Sequence, residues 1–183
     1  MRVLAISGSL RAGSYNTALA RATRELAPAG VEIELYDGLG TLPPFDADSD
    51  GAAEPVAVRD LRRRIGAADA VLFVTPEYNG SIPGVLKNAV DWASRPHRDA
   101  ALSGKTVAVA GASPGQYGAM WAQQDLRRVL GIAGARVIEG ELAVPRAHEV
   151  FDDGRLTSSV IAERLQTHLA ALVHQAVPPA LAA

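Results

Sequence analysis

The fold is decided by Ala70-Val71-Leu72-Phe73-Val74-Thr75-Pro76-Glu77-Tyr78-Asn79-Gly80, residues 70–80 of the 183-residue chain. The first five residues are all apolar, and a short unbroken apolar run is typical of a strand that is buried on both faces of a sheet. The polar, proline- and glycine-containing residues that follow predict that this strand ends in a loop. Comparable runs followed by loops occur at residues 3–6 and 106–110. The chain is therefore expected to contain at least three buried strands, each leading into a polar loop.

Helix-forming segments separate these strands. Apolar residues recur at helical spacing from Asn16 onward, after Pro55, after Pro83, after the loop at 111–118, and between 161 and 173. Two further strands are predicted at residues 31–35 and 136–138. Five strands that alternate with helices indicate parallel βαβ units with helices on both faces of the sheet. In such a sheet, ligands bind outside the carboxyl ends of the strands, so the loops after the first, third and fourth strands are the candidate sites.

The composition restricts the function. The chain is 48% hydrophobic and 21% charged, which is typical of a globular protein. A net charge of −2, from 18 basic and 20 acidic residues, gives no reason to expect nucleic acid or an anionic membrane as a partner. The absence of cysteine excludes disulfides, thiolate catalysis and cysteine-ligated metals.

The chain organisation is expected to be simple. Its length predicts one domain, residues 1–177, followed by a flexible carboxyl-terminal tail at 178–183 that contains Pro178-Pro179. No apolar run approaches the roughly 20 residues of a membrane-spanning helix, and the first residues do not have the pattern of a signal peptide. We therefore expect a cytoplasmic protein.

The loop after the first strand, Gly8 to Asn16, has the chemistry of a single-phosphate site. It lacks the G-x-G-x-x-G and P-loop glycine patterns. It instead brings two hydroxyls, an amide and a guanidinium to the start of a helix, where free N–H groups and the helix dipole favour an anion. These side chains belong to Ser9, Arg11, Ser14 and Asn16. In the alternative interpretation, Ser14 or Asn16 only caps the helix and Arg11 is a solvated loop charge.

The segment 75–92, which runs from Thr75-Pro76-Glu77-Tyr78-Asn79-Gly80 to Asp91-Trp92, closely resembles the signature of the NADPH-dependent FMN reductase family. The first loop, with Gly-Ser-Leu-Arg and Ser-x-Asn, resembles the same family. So do Leu42-Pro43-Pro44-Phe45-Asp46 and the stretch Ser113-Pro114-Gly115. The resemblance extends from about Val3 to about Leu156, with the motifs in order and at fitting spacing.

This resemblance implies an α/β, flavodoxin-like fold, with a five-stranded parallel sheet in the order 2-1-3-4-5 and helices on both faces. It also implies non-covalently bound FMN as cofactor and NADPH or NADH as co-substrate. Family members pass a hydride from NAD(P)H through FMN to a flavin, quinone, azo or metal-oxyanion acceptor. Oligomers are common in the family, so the resemblance implies a homodimer or homotetramer. The flavin carries the hydride chemistry, so no catalytic side chain is expected.

Carried over residue by residue, the resemblance gives three groups of cofactor-binding positions. The phosphate group is assigned Ser9, Arg11, Ser14 and Asn16; the isoalloxazine ring is assigned Pro76, Glu77, Tyr78, Asn79 and Gly80, largely through backbone atoms; and the other side of the flavin is assigned Ser113 and Gly115. In the alternative interpretation, Tyr78 packs at a subunit contact. The chain departs from the family pattern where Gln116-Tyr117 precede Gly118, which affects the expected shape of the nicotinamide side.

Other motifs are assigned no chemistry. Asp46 to Gly51 resembles the start of a calcium loop, but the twelfth position, where an EF-hand needs glutamate, is Ala57. The four histidines have no metal spacing, so no metal site is expected, and His168 and His174 are expected to be solvated. Two alternatives to the reductase stay open, a one-electron carrier that resembles flavodoxin and a flavin-binding regulatory protein without catalysis.

Overall fold

The computed structural model describes residues 1–51, 53–97 and 99–177. The predicted tail at 178–183 lies outside the described residues. The strands are β1 (Arg2–Ser7), β2 (Glu32–Tyr36), β3 (Ala70–Val74), β4 (Thr106–Ala112), β5 (Arg136–Val137), β6 (Leu142–Val144), β7 (Phe151–Asp152) and β8 (Arg155–Leu156). The helices are α1 (Tyr15–Leu26), α2 (Val56–Ala67), α3 (Gly84–Ala93), α4 (Met120–Ile132), α5 (Ala147–Val150) and α6 (Ser159–Ala176). No helix in the described ranges is long and apolar enough to cross a membrane.

The main sheet is parallel, with the strand order β2-β1-β3-β4-β5, and this confirms the predicted flavodoxin-like topology. One detail of the prediction is wrong. The fifth position of the sheet holds two short strands, because β4 pairs with β5 at Thr106–Val107 and with β6 at Ala110–Ala112. The break includes Gly140, whose φ of +87° favours glycine over other residues.

The alternating side chains of the strands fill two cores. On β3, Leu72 and Val74 belong to the core beneath α1 and α6, whereas Val71 and Phe73 belong to the core beneath α2, α3 and α4. All five residues of β3 are buried, as the unbroken apolar run predicts. Helices therefore cover both faces, and the polar loops are confined to the edges of the sheet.

Histidine 168 corrects one sequence-based expectation. The residue is buried, with 8% of its surface exposed, whereas His174 is exposed as expected. The His168 Nε2 atom lies 3.1 Å from the carbonyl oxygen of Val109. Ile138 N donates to Val107 O, so the Val107 carbonyl points toward the fifth position of the sheet. Carbonyls two residues apart on a strand point the same way, so the Val109 carbonyl points there too. The imidazole therefore occupies the break between β5 and β6, and its Nε2–H satisfies the carbonyl that no strand reaches.

Candidate functional site

A cavity of about 430 Å³ opens at the carboxyl ends of β1, β3 and β4. It brings together eight of the eleven residues that the sequence predicts, from all three loops. Its lining consists of Ser9, Arg11, Ser14, Tyr15, Asn16, Pro76, Glu77, Tyr78, Ala112, Ser113 and Pro114. The predicted residues Asn79, Gly80 and Gly115 do not line it. Tyr15, Ala112 and Pro114 were not predicted, although each is next in sequence to a predicted residue.

One wall of the cavity is the start of α1. Ser14 is the N-cap and its Oγ accepts a hydrogen bond from Thr17 N at 3.2 Å. In the described part of the chain, the N–H groups of Tyr15 and Asn16 have no acceptor, as expected for a first helical turn. The guanidinium of Arg11 lies over the Tyr15 ring, 5.7 Å from its centroid. This end of the cavity therefore presents N–H donors and a positive charge.

Asn16 ties α1 to the end of β4. Its Nδ2 donates to the carbonyl oxygen of Ala112 at 2.9 Å, and its Oδ1 accepts from Ala112 N at 2.8 Å. Asn16 is only 3% exposed, so these two hydrogen bonds satisfy the side-chain amide of Asn16 and the backbone groups of Ala112 where water does not reach. Its amide thus holds two walls of the cavity together, a role that the motif alone does not reveal.

The loop after β3 is a tight hairpin. Tyr78 and Ser81 exchange both backbone hydrogen bonds, at 3.0 and 3.2 Å. Between them, Asn79 and Gly80 have φ values of +53° and +75°, which is the arrangement of a type I′ turn and explains the Asn-Gly pair. The Ser81 hydroxyl also donates to Asp125 on α4, and this hydrogen bond together with Arg128 lowers the pKa of Asp125. These hydrogen bonds within the chain hold the loop in place.

Glu77 caps α4 across the site. One carboxylate oxygen, Oε2, accepts from Trp121 N at 3.0 Å and from Ala122 N at 3.2 Å. The N-cap residue of α4, Ala119, has no side-chain acceptor of its own. A carboxylate at a helix start is stabilised by the free N–H groups and by the helix dipole. The side chain of Glu77 therefore faces α4, and its negative charge is compensated there.

The loop after β4 is bound to the segment that follows β6. Ala147 N donates to Ser113 O at 3.0 Å, and Arg146 N donates to Gly115 O at 2.9 Å. The Ser113 Oγ accepts from Gly115 N at 2.9 Å, so these two predicted residues form one turn. Gly118 has a φ of +59°, and a Cβ there would lie 2.6 Å from Val144 N. The loop is pressed against β6, which leaves Ser113 in the cavity and turns Gly115 away from it.

Comparison with known proteins identifies the family. The profile of the NADPH-dependent FMN reductase family matches residues 1–149. This chain belongs to the NADPH-dependent FMN reductase family. The match confirms the resemblance and the expectation that the protein is an oxidoreductase, and the family description names both NADPH and FMN, as that resemblance implied.

Individual members of the family agree with this assignment. An NAD(P)H-dependent FMN reductase of Pseudomonas aeruginosa is 45% identical over 174 residues, which cover 94% of this chain and 93% of that protein. A quinone reductase of Pseudomonas putida is 41% identical over 152 residues, covering 82% and 81%. The solved structure of a flavoenzyme NAD(P)H:(acceptor) oxidoreductase from Paracoccus denitrificans has a TM-score of 0.87, with 38% identity over 96% of both chains.

The remaining motif of the FMN reductase resemblance, residues 42–46, is a loop that is hydrogen-bonded to α3. Its Pro43 carbonyl accepts hydrogen bonds from Asn88 Nδ2 at 2.9 Å and from Trp92 Nε1 at 2.8 Å. Phe45 N donates back to Asn88 Oδ1 at 2.7 Å. Asn88 and Trp92 belong to α3, within the segment 75–92. Two of the motifs that mark the family are therefore bonded to each other, away from the cavity lining.

Proposed function

We propose that this chain is an NAD(P)H-dependent FMN oxidoreductase that passes reducing equivalents from NAD(P)H, through bound FMN, to a quinone-type acceptor. One observation carries the proposal. A single cavity combines an anion-binding helix start with a rigid, backbone-rich loop, in the position where flavodoxin-like sheets bind ligands. In the balanced reaction, one NAD(P)H and one proton reduce one quinone to one hydroquinone, and one NAD(P)⁺ is released.

The helix start fits a phosphate group. Its donors are the Ser9 hydroxyl, the Arg11 guanidinium and the free N–H groups of the first turn of α1. In the described ranges, one carboxylate lines the cavity, that of Glu77, and its hydrogen bonds go to α4. The positive end of the cavity is therefore not neutralised from within. Ser14 would contribute through the turn that it caps, and Asn16 through the position of Ala112.

The rest of the lining fits a flat heterocycle. The type I′ turn fixes the backbone of residues 78–81, directly after the lining residues Pro76 and Glu77, and the Ser113 turn lines the same cavity. Fixed backbone N–H and carbonyl groups recognise a ring edge at a lower entropic cost, because the loop need not be ordered on binding. When bound, FMN supplies a ring that takes up a hydride from the nicotinamide and returns electrons to the acceptor. The residues of this chain bind and orient; none is needed as acid or base on the hydride.

Two further parts of the proposal rest on the family alone. We propose a homodimer or homotetramer, with Tyr78 either at the flavin or at a subunit contact. We also propose a cytoplasmic location, where a reductase has access to reduced nicotinamide. The quinone class of acceptor is supported by the names of relatives such as the Pseudomonas putida quinone reductase.

The test is a reduction experiment on the purified protein. FMN is added, excess is removed, and NADPH is then added without oxygen. We expect a yellow protein that NADPH bleaches. Its yellow colour should return when a naphthoquinone is added. A yellow protein that NADPH does not bleach would instead be an electron carrier. A protein that takes up no FMN would be a regulatory or binding protein, and either result would overturn the proposal.

A further inference from the structure

The exposed aromatic side chains of the described residues all lie at the carboxyl edge of the sheet. Tyr78, Tyr117 and Trp121 are 51%, 49% and 45% exposed. The chain has only nine aromatic residues, and the other six are buried or partly buried. Large apolar groups left in water at one place are a common mark of a binding surface. These three side chains follow β3 and β4, the strands that also carry the cavity.

Two of them form a rigid unit. The rings of Tyr117 and Trp121 are 4.8 Å apart between centroids and inclined by 61°, an edge-to-face contact. We call Tyr117 and Trp121 the aromatic step. Each ring limits the rotation of the other, so the aromatic step presents a fixed apolar surface although both residues are half exposed.

The backbone between the two rings is strained. Gly118 and Ala119 have consecutive positive φ values of +59° and +62°. This left-handed conformation is unfavourable for alanine, and Ala119 is buried, so surrounding packing maintains it. Gly118 is held against Val144 N, where no Cβ fits. In this strained conformation, the backbone leaves the Tyr117 side chain half exposed to solvent, next to Trp121.

The aromatic step is also coupled to the cavity. Trp121 N donates to the carboxylate of Glu77, a cavity-lining residue, at 3.0 Å. Tyr117 lies three residues beyond Pro114, which lines the cavity on the β4 side. The aromatic step is therefore joined to the cavity lining by one hydrogen bond and by a short stretch of chain, the same stretch that contains the Gln116-Tyr117 departure from the family pattern.

We propose that the aromatic step is the acceptor-specificity surface of this enzyme, and that it binds planar aromatic acceptors of the two-ring quinone class by stacking. The inference rests on the proposed function and adds the residues that select the acceptor. Contacts between aromatic rings stabilise a complex beyond the effect of the buried area alone, so two rings suffice to discriminate several-fold between acceptors. A charged inorganic oxidant gains nothing from such a surface.

A stopped-flow experiment tests the preference. The double variant Tyr117→Leu/Trp121→Leu, loaded with FMN and reduced beforehand, is mixed with a naphthoquinone or with ferricyanide. We expect the second-order rate constant for the naphthoquinone to fall five- to tenfold and that for ferricyanide to stay within twofold. The control is Ile132→Ala on the same helix, which is 77% exposed and lies roughly 16 Å along α4 from Trp121. An equal loss with both oxidants, or no loss with either, would overturn the inference.

Tryptophan fluorescence gives a readout that does not depend on turnover. Of the two tryptophans, Trp92 is fully buried and Trp121 is half exposed. Naphthoquinone titrated into the FMN-loaded protein should quench the Trp121 emission saturably, and Tyr117→Leu should weaken the apparent affinity several-fold. Trp121→Phe should remove the saturable component. Quenching that is linear in quinone and indifferent to these variants would contradict the inference.

Size-exclusion chromatography distinguishes the competing occupant of this surface. If the double variant dissociates into smaller species, the aromatic step is a contact between copies of the chain and the acceptor assignment is wrong. Failure of the proposed function has a different signature, since NADPH would then leave the wild-type flavin oxidised while the fluorescence titration still reports whether quinone binds.

Discussion

At the residue scale, Arg11 is the one cation among the described residues that line the cavity. If FMN binds as proposed, Arg11→Ala removes a charge-assisted hydrogen bond of about 1.5–3 kcal/mol and weakens FMN binding roughly ten- to a hundredfold. Flavin fluorescence titration measures this directly. Arg24→Ala, which removes an exposed arginine from the other end of α1, is the matched control and should leave the affinity unchanged. Equal FMN affinity in Arg11→Ala and wild type would disprove the phosphate assignment.

His168 makes a second prediction at this scale. Burial lowers the pKa of His168 below its usual 6.5, and the charges of Arg127 and Arg164 lower it further, while the hydrogen bond to Val109 raises it. The folded state therefore favours the neutral ring, so this contribution to stability is complete above about pH 6.5 and declines as the pH falls below that value. Urea unfolding between pH 7 and pH 5 should show this loss, and His168→Gln, which keeps an N–H donor without titrating, should show less of it. Parallel pH profiles for the two proteins would contradict the assignment.

Individual residues show why sequence reasoning reached part of the site. The anion site at the start of α1 is predictable, because hydroxyl and guanidinium side chains next to a helix start indicate such a site. The bond between Asn16 and Ala112 joins residues 96 apart, and the cap of Glu77 on α4 spans 44 residues. No local pattern encodes such contacts. His168 was expected in solvent because the break in the fifth strand, which it fills, is itself a tertiary feature.

At the element scale, the two glycines with positive φ around β6 provide a matched pair. Gly118 (φ +59°) and Gly140 (φ +87°) carry similar backbone costs when replaced by alanine, roughly 1 kcal/mol each. Only at Gly118 would the new Cβ collide with backbone, 2.6 Å from Val144 N, whereas nothing lies within 4 Å at Gly140. Gly118→Ala should therefore lower the free energy of unfolding by about 2 kcal/mol more than Gly140→Ala in urea denaturation. Similar losses for the two variants would show that the loop is not fixed against β6.

The elements themselves were largely predictable. The long apolar runs of β1, β3 and β4 and the proline residues before α2 and α3 marked those elements correctly, because buried strands and helix starts have local signals. The hairpin of β7 and β8 was not predicted as strand, since each strand has only two residues and is too short to give a periodic signal. The division of the fifth strand depends on packing against α6 and leaves no periodic signal.

At the scale of the whole molecule, ligand binding should stabilise the fold. A ligand present at 100 times its dissociation constant stabilises the native state by about 2.7 kcal/mol, which for a chain of this size raises the unfolding midpoint by roughly 5–10 °C. If FMN binds as proposed, calorimetry should show this shift. Riboflavin at the same concentration has the same ring without the phosphate and should give a clearly smaller shift. Equal shifts would mean that the α1 start does not contribute to binding.

The break in the fifth strand has a consequence for how this architecture can change. Residues 139–141 are exposed, carry no sheet pairing, and leave open space around Gly140, while His168 already satisfies the carbonyl that a continuous strand would have bonded. Additional chain inserted there would not unpair any ladder hydrogen bond. The same edge of the sheet is thus a natural entry point for a new segment, acquired in evolution or grafted by engineering, without rebuilding the rest of the domain.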